Sequence, residues 1–272
     1  MTNALTTAKL SHNTLALPDL IEREGKQTTK RFLEFFTANI RNANTRAAYA
    51  HAVRQFLQWC DRPGVTLTTI EPMHVAAYIE TLTQQRGPQT VKQHLAAIRM
   101  LFDWLVIGQS VPFNPAASVR GPRYTIKKGK TPVLTGAETR KLMNNLDVSH
   151  VVGLRDRAFI GLMAYSFARV SAVVQMKVKD YYPSGKRWWI RLHEKGGRFH
   201  EVPVHHLAEE YLDAYLAAAG IAEDKNTPLF RKTAGQSRKL TDKALTRFDA
   251  WKLIKRRAEQ AGLSATVTCH TF

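Results

Sequence analysis

A chain of 272 residues that is 44% hydrophobic and 9% aromatic has length for two globular domains, and no apolar run approaches the roughly 20 residues that span a bilayer. Forty Lys and Arg against 22 Asp and Glu give a formal charge of +18 and an isoelectric point near 10.1. Such an excess repels itself in the folded state and is offset by a polyanion, so nucleic acid is the leading partner and a membrane surface is disfavoured. The two cysteines, Cys60 and Cys269, lie too far apart in sequence for a metal or redox motif, and no secretory pattern opens the chain, so a reducing cytoplasm is expected.

Residues 1 to 24 hold no sustained apolar period and read as a loose leader. Thr45 can cap a helix in which Tyr49, Val53, Phe56, Leu57 and Cys60 recur at helical spacing. A second helix opens at Glu71-Pro72 and carries Val75, Ile79 and Leu82 on one face. A third opens near Pro88, with Val91, Leu95, Ile98, Phe102 and Leu105 forming a stripe of alternating steps of four and three. These helices make a helical domain over residues 25–116. "RGPRYTIKKGK", residues 120–130, has five basic residues, no acid and no apolar period, and marks a basic linker over 117–133. It is either a solvated run or a tether that follows a phosphate backbone, and the overall charge favours the tether.

The second domain, 134–272, opens with a capping box, Thr135 and Glu138, before a helix carrying Leu142. A largely apolar helix follows in "GLRDRAFIGLMAYSFA". "VKDYY", "WWIRL" and "FHEVPV", separated by the turns "PSGK" and "EKGG", predict a small antiparallel sheet. A helix through Leu207, Tyr211, Leu212 and Tyr215 stops at Gly220. The last helix is expected from Thr241 through Ala244, Phe248, Trp251 and Ala258 to Gly262, with Lys243, Arg247, Lys252, Lys255, Arg256 and Arg257 on its exposed face.

Three residues stand out chemically. Arg169, between two apolar stretches, is either a junction arginine that reaches to water or a bidentate phosphate clamp. Lys195, at a glycine-flanked hairpin tip, is a solvated turn lysine or a proton donor to a departing alkoxide. His270 lies in "TVTCHTF", residues 266–272. The nearby His193, His200, His205 and His206 match no zinc spacing, and no nucleotide-binding loop occurs, so neither metal nor cofactor is expected.

"FARVSAVVQMKVKDY", "EKGGRFHEVPV" and "CHTF", in this order and spacing, resemble the tyrosine recombinase, or phage integrase, family. The resemblance covers the chain from about residue 25 onward. It implies a mostly α fold with a small antiparallel sheet: a helical core-DNA-binding domain and an α+β catalytic domain that clamp double-stranded DNA, working as a homo-oligomer on DNA in a prokaryotic cytoplasm. It further implies that Arg169 holds the scissile phosphate, that Lys195 protonates the 5′-oxygen, and that His270 is the histidine of a His-x-x-Arg box. The expected DNA contacts are Arg120, Arg123, Lys127, Lys128 and Lys130 of the linker, with Thr45, Arg46 and Lys92 of the helical domain.

Two departures accompany the resemblance. Ala172 stands where the family carries an acid three residues after the first arginine. The family's second arginine closes the box and its nucleophilic tyrosine follows it, whereas here the residues stop at Phe272 and all eight tyrosines precede the box, so the catalytic domain is expected to be C-terminally incomplete. The expectation is a site-specific recombinase acting through a 3′-phosphotyrosine, inactive as these 272 residues alone. The alternatives are a non-catalytic protein occupying recombination sites and a metal-dependent nuclease, for which no acidic triad can be chosen.

Overall fold

The computed structural model describes residues 17–125, 131–194, 197–235 and 237–272. The chain divides into two compact units, Met1–Lys127 and Lys128–Phe272, each with its own core.

The first unit is helical: α1 (Asp19–Arg23), α2 (Gly25–Glu34), a π-helical turn at Phe35–Asn39, α3 (Ala43–Cys60), α4 (Pro72–Gln85) and α5 (Pro88–Ile107). The expected stripe on α5 is buried along its whole length, each side chain contributing roughly 1.5–3 kcal/mol. It packs on Val53, Phe56 and Leu57 of α3. Glu71 and Pro72 open α4 as the sequence predicts, Glu71 as N-cap.

Three expectations for this unit change. The leader does not extend to residue 24, because α1 buries Leu20 and Ile21 in the core. Asn42, not Thr45, caps α3: its side-chain oxygen accepts from the N–H groups of Asn44 and Thr45, an Asx arrangement that leaves Thr45 in the first turn. The expected linker is anchored in its first half. Arg99 donates to the carbonyls of Ala116 and Val119, and Gln89 donates to the Tyr124 hydroxyl, laying this segment along α5.

The second unit begins with α6 (Gly136–Asn144), capped by the Thr135–Glu138 box, and α7 (Val151–Ser166). Short α8 (Val170–Val173) leads to the sheet β1 (Tyr181–Ser184), β2 (Arg187–His193) and β3 (Phe199–Pro203), antiparallel in the order β1-β2-β3. Trp189 faces Tyr182 on one side and Pro203 on the other. α9 (His206–Ala219) packs on α7, where Gly161 lets the helices approach: a methyl there would meet the Tyr211 ring at 2.8 Å. Gly220, in the left-handed conformation at φ 65°, ends α9 as predicted.

Two sequence readings are corrected in this unit. "VKDYY" is not one strand, since Val178–Asp180 forms a 3-10 turn that Asp180 caps by accepting from the Lys177 N–H. Thr241 to Ala244 belong to β5 (Leu240–Ala244), paired with β4 (Arg231–Thr233), and the last helix, α10 (Arg247–Gln260), starts only after the Thr246 cap. Threonine's β-branched side chain suits the strand, and the short apolar spacing that suggested a helix there is shared by both structures. Among the described residues no helix is long and apolar enough to cross a membrane.

Inside the first core, the His94 ring sits 2.9 Å from the Tyr78 hydroxyl. Burial, then the neighbouring His51 and Arg86, hold the His94 pKa below its ordinary 6.5. The unfolded chain therefore binds this proton first, and the stability His94 contributes above pH 6.5 is lost as pH falls below that value. Hydrogen exchange of the α5 amides is expected to accelerate on acidification from about pH 7.5 to about pH 5.5, and less steeply in His94→Asn. Equal pH slopes in the two proteins would refute the assignment.

Candidate functional site

α7 is buried on nearly all sides and ends abruptly at Phe167, which adopts φ 53° and exposes 81% of its surface. A left-handed conformation in a non-glycine residue costs roughly 1–2 kcal/mol and turns the chain sharply. The turn delivers Arg169 as the N-cap of α8, just past buried Ala168. Buried Ala172 and Val173 hold that short helix on the core.

A second arm reaches the same place from α10. Thr246 and Asp249 form a reciprocal capping box, with Lys232 2.7 Å from the Asp249 carboxylate. Burial alone would raise the Asp249 carboxyl, but the hydrogen bonds from Lys232 and Thr246 outweigh it and hold it below its ordinary value of 3.8. α10 ends at Gly262 (φ 61°), and the chain returns along it, tied by the Lys255 ammonium to the Ala265 carbonyl. Val267, Cys269 and Thr271 are buried, whereas Thr268 is half-buried and His270 exposed. A turn braced by the Thr271 hydroxyl, which accepts from the Thr268 N–H at 2.9 Å, sets this alternation.

Between the arms lies a cleft of about 650 Å³, lined among others by Arg169, Ser171, Arg247, Thr268 and His270. Phe248 and Trp251 form one wall, their rings near-parallel at 10°, and remain 60% and 42% exposed. Among the described residues no carboxylate lines the cleft, so its charge suits an anion. Arg169 has an acidic neighbour from elsewhere: its Nη1 lies 2.7 Å from Glu194 Oε2, at the end of β2.

One buried carboxylate joins the two arms. Asp156, in the middle of α7 and fully buried, accepts from Arg155, from Arg257 at 2.8 Å and from Arg256 at 3.3 Å, the last two on α10. Arg155 in turn donates to the carbonyl of Arg231 on β4 at 2.8 Å. This corrects the expectation that Arg257 lies on an exposed face: its side chain is almost wholly covered. Phe248 and Trp251 face the cleft, and Ala250, Leu253, Ile254 and Ala258 make the buried face of α10.

Of the expected site residues, the structure brings Arg169 and His270 together; Lys195, Lys127, Lys128 and Lys130 lie outside the described residues. In the first unit Lys92, Arg120 and Arg123 are exposed. Arg46 instead turns its guanidinium onto the Ile40 carbonyl, at 2.9 and 3.1 Å, and braces the turn before α3, while Thr45 is half-buried. Sequence reading missed Glu194, Asp156 and the aromatic wall; only the basic-aromatic run around Phe248 carried a signal.

Nucleophiles are scarce in the cleft. None of the eight tyrosines lines it, and several phenols are committed to the interior: burial pushes Tyr78 and Tyr215 up to about 12 and raises Tyr181, which donates to Asp213 at 2.8 Å. Burial also raises the Cys269 thiol, keeping it protonated. Among the described residues no group of three or more His, Cys, Asp and Glu could hold a metal ion.

The sequence pattern of the phage integrase family matches residues 132–272, and that of a phage integrase N-terminal SAM-like domain matches residues 29–109. The chain belongs to the phage integrase family of tyrosine recombinases. It is 26% identical over 238 residues to the tyrosine recombinase XerD of Listeria monocytogenes serotype 4b, covering 85% of this chain and 76% of that one. Its fold is similar to that of the XerH site-specific recombinase solved with a palindromic difH substrate in a post-cleavage complex: TM-score 0.72, 17% identity, 95% of this chain and 84% of the other. It also matches a lambda integrase dimer solved on a COC′ core site, with TM-score 0.68, 16% identity, 95% of this chain and 68% of that chain.

Removing the charge of Asp156 would leave a buried guanidinium cluster without its counter-ion. Asp156→Asn is expected to destabilise the second unit by about 3–5 kcal/mol. Arg256→Ala, at a half-exposed partner, is expected to cost under about 1 kcal/mol. Urea unfolding of the two variants checks the contrast, and similar losses in both would refute it.

Proposed function

We propose that this chain acts on double-stranded DNA as a tyrosine recombinase or integrase, gripping a backbone phosphate with Arg169 and His270. The observation that carries the reading is the cleft itself, which gathers Arg169, Arg247 and His270 without a carboxylate in its lining. A phosphodiester is the anion that such a surface suits on a protein of charge +18. Supporting it, the XerH and lambda integrase structures of similar fold hold DNA, and the lambda protein is a dimer on its site. By the same reasoning the present chain works as a homo-oligomer on DNA, in the cytoplasm.

In this reading the expected core-binding domain, residues 25–116, takes in α1 as well, with 117–133 as the basic connection and 134–272 as the catalytic domain. Lys92 contacts the backbone from the first domain, and Arg120, Arg123, Lys127, Lys128 and Lys130 of the connection extend that contact. From the catalytic domain the basic face of α10, with Arg247, Lys252 and Lys255, adds charge beside the cleft. The chemistry is strand cleavage and rejoining through a 3′-phosphotyrosine, with Lys195 protonating the 5′-oxygen. Charge growing on the phosphorane is stabilised by fixed guanidinium donors, each worth about 10²- to 10³-fold in rate.

The alternative reading is a non-catalytic protein that occupies recombination sites. Both readings have the chain bind duplex DNA through its basic surface. Binding to a labelled duplex should weaken linearly on a log–log salt plot, and alanine at Lys92, Arg120 or Arg123 should each reduce the slope by about 0.9. Salt-independent binding would sink the DNA reading. A denaturant-resistant adduct formed by this chain would show that one of its own tyrosines reaches the phosphate.

A further inference from the structure

We propose that Glu194 is a positioning residue for Arg169, holding its guanidinium at the cleft with donors left over for phosphate. The inference rests on the reading of Arg169 as a phosphate grip.

Arg169 projects from a short helix whose other residues, Val170–Val173, include no acid, and no carboxylate lines the cleft. Its side chain is 69% exposed. A long side chain in that setting samples many rotamers, and each encounter with phosphate would have to order it. Glu194 removes much of that freedom beforehand, through the 2.7 Å contact from Arg169 Nη1 to Glu194 Oε2.

Glu194 is itself well founded. It follows β2, where Ile190 and Leu192 are core residues, and its N–H donates to the Arg198 carbonyl at 2.8 Å, closing the hairpin base. Its side chain is 30% exposed, less than half as much as that of its partner. The anchor therefore belongs to the sheet and the anchored group to the helix junction.

The contact is single. A guanidinium has five N–H donors, and a carboxylate on Nη1 leaves the Nε–Nη2 edge able to take two phosphate oxygens. Glu194 thus holds Arg169 without occupying the edge that would bind phosphate. Because Lys195 is the next residue, the hairpin that carries the expected proton donor also sets the arginine.

Two opposed behaviours separate this from competition. A positioning carboxylate helps phosphate binding; a competing one hinders it. The test measures fluorescence anisotropy of the whole chain on a labelled mixed-sequence duplex over a range of salt, for Glu194→Ala, Glu194→Gln, Arg169→Ala and the double variant Glu194→Ala/Arg169→Ala. Glu194→Ala is expected to weaken binding roughly two- to tenfold. Glu194→Gln, which keeps an oxygen acceptor, should lose less, and Arg169→Ala should lower the salt slope by about 0.9. In the Arg169→Ala background the Glu194 change should have no effect.

Binding by Glu194→Ala equal to or tighter than that of the parent overturns the proposal, as does a loss that persists without Arg169. If Arg169→Ala itself changes neither affinity nor slope, the phosphate reading fails and this inference with it. Thermal unfolding of each variant separates a folding defect from a binding one, and Glu194→Gln keeps the test open should the alanine variant be unstable.

Discussion

The geometry of the catalytic unit hangs on one buried negative charge. Asp156 is surrounded by Arg155, Arg256 and Arg257, and through Arg155 it reaches the backbone of β4. A carboxylate taken from water is stable only when its lone pairs are filled, and here guanidinium donors fill them. The result is a joint. α7, which ends in the turn to Arg169, and the C-terminal half of α10, which leads to the segment bearing His270, are clamped together by the same side chain. Apolar packing could hold two helices at a distance, but directional charge-assisted hydrogen bonds also fix their rotation about their own axes. That rotation decides which way each arm emerges.

Around this joint the two arms are built differently. The Arg169 arm turns on a strained residue, Phe167, followed by a helix of one turn whose stability comes from buried Ala172 and Val173. The His270 arm has no regular structure after α10 and relies on threonine hydroxyls and alternating burial. Neither arm would keep its course alone, since helices this short are marginal in water. Each borrows rigidity from the core beneath it, and Arg169 also meets Glu194 at 2.7 Å.

Much of this was legible in the residue order, for physical reasons. The α5 stripe, the Thr135–Glu138 capping box and the Gly220 stop are local signals, set by helical period and backbone conformation, and the structure has all three. The end of the chain was harder. Around Thr241 a few apolar residues fit both helix and strand, and the pairing of β4 with β5 that decides for strand is not local. The exposed face expected for this helix included Arg257, which is covered, while Phe248 and Trp251 stand open to solvent. Asp156 and Glu194 were invisible for a related cause: their partners lie about 100 and 25 positions away. The motif residues Arg169 and His270 could be named from order and spacing, but the acid facing Arg169 could not.

The alternating burial of residues 267–271 makes the cleft sensitive to parity. His270 faces the cleft because a single residue separates it from Thr268, which also lines it: the outward positions are even-numbered and the buried ones odd. A slip of one residue in how this segment seats would bury the imidazole and turn the Thr271 hydroxyl outward. The change would take an imidazole from the cleft while leaving composition, charge count and helix content almost untouched. Gaining or losing one residue between Val267 and His270 therefore disturbs the cleft, a constraint on length rather than on chemistry.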